Sequence, residues 1–302
     1  MNVEKPVLTV VGSYPAEVDR LQMMESYFQR LQLPSWQPVI RQAVKRMVGA
    51  GVGLVSDGQT RDPFMTIFTR GFGGCQVRER TEVVEPVEFV EPVTLSDLEF
   101  VRSVLPKDKK LLGLVVGPHT LSQSVVDNVY DDEKELAFAF AEALRQEAES
   151  IEPVVDMISV DEPFYANGFP AYANELIEHV VSNVSCPTRL HACGDVTDIV
   201  PSLLDLPVDV LSHEFAASPG LFDVFSEHFD ESKQICLGSV RSDQDRVESV
   251  DEIVSHIQRG IEVFGNRLSQ IAPDCGLRLL PESVAFEKLT HLYDAIEVVY
   301  NE

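Results

Sequence analysis

Eight times along this chain a short apolar run stops at residues capable of chemistry and gives way to a stretch with helical spacing. The runs fall at 7–11, 54–58, 111–116, 155–160, a segment ending at His191, 208–214, 234–238 and 270–275. Helical spacing is read at 38–50, 95–105, 131–150, 171–181, 197–204, 220–228, 250–264 and 281–300. The runs are apolar throughout rather than alternating, which is the pattern of parallel strands buried on both faces. Eight βα units in 302 residues predict an α/β fold, a single (β/α)8 TIM barrel over residues 1–302. A doubly wound open sheet is the alternative, but the first turn, Gly12-Ser13-Tyr14-Pro15, lacks the Gly-x-Gly-x-x-Gly that cradles a dinucleotide. Residues 75–93 alternate apolar and charged side chains and carry Pro86 and Pro92, which predicts a β-hairpin or arm inserted after strand 2.

Charge and cysteine usage exclude several classes of function. The 49 acidic against 24 basic residues give a net charge of −25, which repels phosphate backbones and anionic lipid, so neither nucleic acid nor a membrane is expected as a partner. No apolar run is long enough to cross a bilayer, and residues 1–6 carry charge without a secretory apolar region, so a cytoplasmic protein is expected. Five dispersed cysteines do not form a disulfide framework, and Cys75, Cys186 and Cys236, with no partner at ligand spacing, are read as structural.

In a barrel of this kind the active site forms where strands end, and several strand ends here carry metal-ligand chemistry. Arg189-Leu190-His191-Ala192-Cys193 places a His and a Cys two residues apart, spacing that turns both toward one side of a strand. Glu214 and Cys275 end two further runs, and His191, Cys193, Glu214 and Cys275 together make a tetrahedral zinc shell. Three anionic ligands and one neutral one leave zinc electron-rich, suited to holding a thiol as a nucleophilic thiolate rather than to activating water. The bland reading keeps both cysteines as small buried hydrophobes.

Asp161-Glu162-Pro163 puts two carboxylates at a strand end, as a catalytic acid–base pair, a clamp for an ammonium group, or a helix cap. Gly12 and Ser13 offer N–H groups and a hydroxyl to a carboxylate. Asp57 and Arg61 end strand 2; Arg61 either anchors a ligand or pairs with Asp62 or another neighbour. His119 faces the site or closes a turn. His213 points away from Glu214 along its strand and is read as packed.

These residues resemble the cobalamin-independent methionine synthase family, in its C-terminal catalytic barrel. The resemblance spans nearly the whole chain and rests on Val11-Gly12-Ser13-Tyr14-Pro15, Ser56-Asp57-Gly58-Gln59-Thr60-Arg61, Gly117-Pro118-His119-Thr120, Val160-Asp161-Glu162-Pro163, His191-Ala192-Cys193 and Pro273-Asp274-Cys275-Gly276-Leu277. It implies zinc on His191, Cys193, Glu214 and Cys275, homocysteine held by the Gly12-Ser13 turn and Asp161, and methyl transfer to the homocysteine sulfur to form methionine. Three departures implicate a methyl donor other than folate. The folate-packing Trp that follows the family's Gly-Pro-Val-Thr is absent after Thr120, the family's Gly-Glu-Pro-Glu-Arg reads Asp57-Gly58-Gln59-Thr60-Arg61, and the His loop after the seventh strand reads Val240-Arg241-Ser242-Asp243. The pattern is similar to the short single-barrel archaeal methionine synthases, which implies a methylcorrinoid, carried by a corrinoid protein, as donor. Methyl transfer to another thiol such as coenzyme M, and a metal-free decarboxylase similar to uroporphyrinogen decarboxylase, are the alternatives.

Overall fold

A computed structural model describes residues 4–16, 35–61 and 64–301. Its strands are β1 (Val7–Leu8), β2 (Leu54–Val55), β3 (Gly73–Val77), β4 (Thr81–Glu88), β5 (Lys110–Val116), β6 (Val126–Asp127), β7 (Met157–Asp161), β8 (Thr188–His191), β9 (Val210–His213), β10 (Gln234–Gly238) and β11 (Leu268–Ala272). Its helices are α1 (Gln37–Gly49), α2 (Phe64–Gly71), α3 (Leu95–Val104), α4 (Pro118–Ser124), α5 (Glu133–Ile151), α6 (Ala173–Val181), α7 (Val200–Leu204), α8 (Leu221–His228), α9 (Val250–Phe264) and α10 (Glu282–Asn301).

Eight strands pair in the order β1-β11-β10-β9-β8-β7-β5-β2, each pair parallel. A parallel bridge between Thr9 and Leu54 joins the two ends, so the TIM barrel expected from eight apolar runs is what forms. Side chains alternate across its wall. Leu54, Leu112, Leu114, Met157, Val210, Cys236 and Ala272 cluster inside, while Leu111, Val115, Ile158, Val160, Leu190 and Leu211 join the larger core beneath the helices. The interior also holds polar side chains: Arg189 and Ser159 are register partners, as are Asp161 and His191, and His191 and Ser212.

Two of the helices are capped by side chains at their starts. Asp132 caps α5 by accepting from Lys134 N at 2.8 Å, and Ser249 and Glu252 form a capping box at α9, satisfying first-turn N–H groups.

An antiparallel pair, β3–β4, occupies most of the segment at 75–93 and starts two residues before it, at Gly73, with β6 parallel to β4. Two elements escape the sequence reading: α2 precedes this hairpin, so it follows a helix rather than strand 2 directly, and α4 begins where Gly117-Pro118 reads as a simple turn. No helix among the described residues is long and apolar enough to cross a membrane.

Candidate metal and substrate site

At the end of β8 the His191 ring is buried, with Nδ1 2.9 Å from Ser212 Oγ on the neighbouring strand and Nε2 3.0 Å from Cys193 Sγ. Burial, then the nearby Arg189 guanidinium, holds its pKa well below the usual histidine range, so the ring is neutral. A neutral ring donating Nδ1–H to Ser212 leaves the Nε2 lone pair facing the sulfur, the arrangement that orients a metal-binding imidazole. Although β8 ends at His191 and Cys193 lies beyond it, the two side chains still meet.

Cys193 Sγ lies 3.0 Å from Cys275 Sγ, which the loop after β11 delivers. That separation exceeds the ~2.05 Å of a disulfide bond, and both are free thiols. One ligand atom from each of His191, Cys193 and Cys275 lies within 4.8 Å of the others. Glu214, the fourth ligand expected from the sequence, borders this group without joining the atoms that lie within 4.8 Å of one another, and burial raises its pKa. The Cys193 thiol is held well above its usual range, first by its hydrogen bond to Cys275 and then by burial. A cation among the sulfurs reverses both effects, and one neutral imidazole, two thiols and a carboxylate are a donor set that suits zinc.

Of the candidate substrate contacts, the Gly12–Ser13 turn and Asp161 adjoin this centre, while Asp57 lines a separate small pocket with Gln59, Phe64 and Leu114. Leu277 N donates to Ser13 O at 2.8 Å, and a Cβ on Gly276 would sit 2.2 Å from Ser13 Oγ, so the Gly12–Ser13 turn lies directly against the Cys275 loop. Asp161, on the strand beside His191, accepts from Ser159 Oγ at 2.7 Å; burial pushes its pKa up to about 7 against the pull of Arg189. Asp57 is buried with its pKa raised to about 6, mainly by burial, and accepts from Gln59 N at 3.0 Å.

For three residues the sequence left a functional and a structural role open, and their contacts bear on the choice. Glu162, read as a catalytic partner of Asp161, accepts from His119 N at 3.0 Å, Thr120 N at 2.8 Å and Thr120 Oγ1 at 2.6 Å. Both oxygens are committed to the first turn of α4, so its geometry is that of a cap. Arg61 pairs with Asp97 at 2.5 Å and donates to Val93 O at 3.1 Å, which makes it a strut rather than a ligand anchor; Asp62 lies outside the described residues. His119 stacks on Tyr165 with ring centroids 5.6 Å apart and lines a cleft of about 430 Å³ with Gln123, Glu133, Phe164 and Phe169. His213 is packed as expected, its ring 5.7 Å from that of Phe225.

Sequence reasoning missed two supports of the site. Asp274 accepts from Ala216 N at 3.0 Å and Ala217 N at 2.7 Å, fastening the loop after Glu214 to the residue before Cys275; a carboxylate at the end of an apolar run was the available signal. Gln59 adopts a left-handed backbone, φ 45°, rare for a residue with a Cβ. Its amide oxygen lies where a Cβ on Gly12 would come within 2.8 Å.

Comparison with known proteins gives a consistent result. The family model described as "Cobalamin-independent synthase, Catalytic domain" matches residues 7–298. The methionine synthase of Methanocaldococcus jannaschii is 34% identical, over 97% of this chain and 99% of that protein. That of Methanothermobacter marburgensis is 32% identical, over 96% and 98%. Among solved structures, a B12-independent methionine synthase from Shewanella sp. W3-18-1 in complex with selenomethionine superimposes with a TM-score of 0.83 at 21% identity, over 99% of this chain and 98% of that one. A methyltransferase from Methanosarcina mazei gives 0.73 at 17% identity, over 99% and 95%. At those identities the two structures establish the shared barrel.

Proposed function

The chain belongs to the cobalamin-independent methionine synthase family by its catalytic domain, and from that premise we propose that it is a zinc-dependent methyltransferase that methylates L-homocysteine with a corrinoid-bound methyl group. The enzyme class, a methyltransferase of the methionine synthase type, follows from the family. Zinc, the donor and the residue roles are the reading offered here, and the convergence of His191, Cys193 and Cys275 within 4.8 Å carries it.

In this reading His191, Cys193 and Cys275 would hold the ion, with Glu214 beside them as the fourth ligand. Bound zinc lowers the pKa of a coordinated thiol, so that it stays nucleophilic at neutral pH. The chain's own residues place the substrate. Ser13 and the adjoining N–H groups receive the homocysteine carboxylate, and Asp161 and Asp57 receive the ammonium group. Ser212 fixes the His191 ring, and Asp274 keeps the Glu214 and Cys275 loops together. Held this way, the sulfur faces a methyl group approaching through the barrel mouth, which removes much of the entropic cost of bringing the two together. A methyl donor reaching this sulfur would pass its methyl group to the sulfur lone pair and keep the electron pair of the bond it gives up. The cleft beside His119 opens from the same end of the barrel and is available to the donor.

Zinc analysis and donor assays test this together. The purified protein is expected to hold about one equivalent of zinc, from one closed ligand set, and Cys275→Ser to lose most of it along with methionine formation. Methylcobalamin is expected to support turnover with homocysteine but not with coenzyme M, and methyltetrahydrofolate to support none. Equal, near-zero zinc in both proteins overturns the metal reading and returns the metal-free decarboxylase; turnover with folate alone overturns the donor.

A further inference from the structure

We infer that Arg189, sealed inside the barrel, is a positioning residue that aims Asp161 and anchors the Gly12–Ser13 turn, and so sets the affinity for the amino-acid end of the substrate. The inference rests on the homocysteine reading above and extends it to a residue with no access to the substrate.

Arg189 is fully buried, and its donors reach two other strands, β7 and β11, and the root of the first turn. Nε donates to Ser159 Oγ at 3.1 Å, Nη1 to Gln270 Oε1 at 3.3 Å, and Nη2 to Val10 O at 3.2 Å and Val11 O at 3.1 Å. Each of these acceptors is neutral. A barrel interior is ordinarily filled by branched apolar side chains, and a buried charge whose hydrogen bonds all go to neutral acceptors, with the Asp161 carboxylate attracting it only from beyond Ser159, is costly to keep. Its retention calls for a task that an apolar residue cannot perform.

The hydrogen-bond directions identify that task. A serine hydroxyl has one proton. Ser159 accepts from Arg189, so its proton goes to Asp161 Oδ1 at 2.7 Å, and the carboxylate plane is fixed from below. Among the described residues Oδ2 takes no hydrogen bond and is left for the substrate. Val10 and Val11 are the two residues before Gly12, so the same guanidinium clamps the carbonyls on which that turn stands. The two ends of the amino-acid subsite, on β7 and after β1, are thereby held at a fixed separation by one rigid planar group. Lysine, a single ammonium with three donors, cannot bridge Ser159 and both carbonyls at once.

The test uses the zinc-loaded full chain with Arg189→Lys, Ser159→Ala and the double variant. Steady-state kinetics, zinc content and thermal melting are measured for each. Arg189→Lys is expected to raise the homocysteine KM about tenfold with kcat within about threefold of wild type, the signature of lost binding rather than lost chemistry. Ser159→Ala, which keeps the guanidinium but cuts its link to Asp161, is expected to raise KM by about threefold, and the double variant to fall short of the product because both act on one carboxylate. Zinc content and the donor KM stay at wild-type values. A lower melting temperature with an unchanged homocysteine KM in both single variants overturns the inference and leaves Arg189 a core residue. If Arg189→Lys fails to fold, Ser159→Ala decides alone by the same criterion. A wild-type protein that forms no methionine from homocysteine overturns the substrate reading, and this inference with it.

Discussion

At the scale of single residues, the site is marked by charges kept where burial opposes them. Asp57 is the clearest case because its neighbours compensate it so incompletely: burial lifts its pKa from 3.8 to about 6 and Asp97 adds to the rise, against the pull of the Gln59 N–H, Arg61 and its own backbone N–H. A carboxyl whose folded pKa is raised contributes stability that is fully present below its unfolded value and is lost as pH rises through the folded one, here between about 4 and 6. Asp57→Asn keeps the acceptor for Gln59 N and removes the charge, so it is expected to stabilise the protein at pH 8 by roughly 1–3 kcal/mol, the scale of a two-unit shift, and to gain nothing at pH 4. Urea denaturation at the two pH values measures this, and an equal effect at both contradicts the burial account. The same substitution is expected to weaken homocysteine binding if Asp57 meets the ammonium group. The convergence of His191, Cys193 and Cys275 was legible because ligand chemistry shows in residue type and in position at a strand end. Arg189, Ser159 and Gln270 were not, since they meet inside the barrel only after strands more than a hundred residues apart have closed upon one another.

Secondary elements place these residues through a few close contacts. Glu162 fastens the first turn of α4 to the end of β7, and it fits because Gly117 leaves room: a Cβ there would lie 1.9 Å from Glu162 Cδ. The Gly117 backbone, φ −72°, suits any residue, so space alone demands glycine. Gly117→Ala is therefore expected to cost about 2–3 kcal/mol by overpacking, read from the urea midpoint, together with a loss of turnover as α4 and the strand bearing Asp161 separate; a cost below about 0.5 kcal/mol, within the range of ordinary surface substitutions, would mean that Glu162 yields freely. Glu147, buried on α5, performs a similar service for α3, accepting from Val93 N at 2.7 Å and Thr94 N at 2.9 Å. The barrel strands were readable because runs apolar on both faces admit few other folds. Helix α4 was not, because Gly-Pro serves equally as a turn and as a helix start, and what selects the helix is a carboxylate 42 residues away from Thr120.

For the molecule as a whole, barrel closure is what turns a scattered sequence into a site. The closed sheet runs from Val7 to Ala272, and the Thr9–Leu54 bridge completes it. Cys193 and Cys275, 82 positions apart in the chain, meet at 3.0 Å only because β8 and β11 belong to one ring. The net charge of −25 covers a fold whose inner wall carries a cation, Arg189, beneath the candidate site, so the polarity that matters for the substrate is set inside the barrel and not by its surface. The central claim is that this ring gathers one zinc ion and presents a substrate sulfur to it. X-ray absorption at the zinc edge, on zinc-loaded protein with and without homocysteine, tests this most directly. The account predicts sulfur neighbours at about 2.3 Å and nitrogen at about 2.0 Å, with the sulfur count rising from two to three when homocysteine is added. Failure to bind zinc stoichiometrically, or a sulfur shell that homocysteine leaves unchanged, would contradict it.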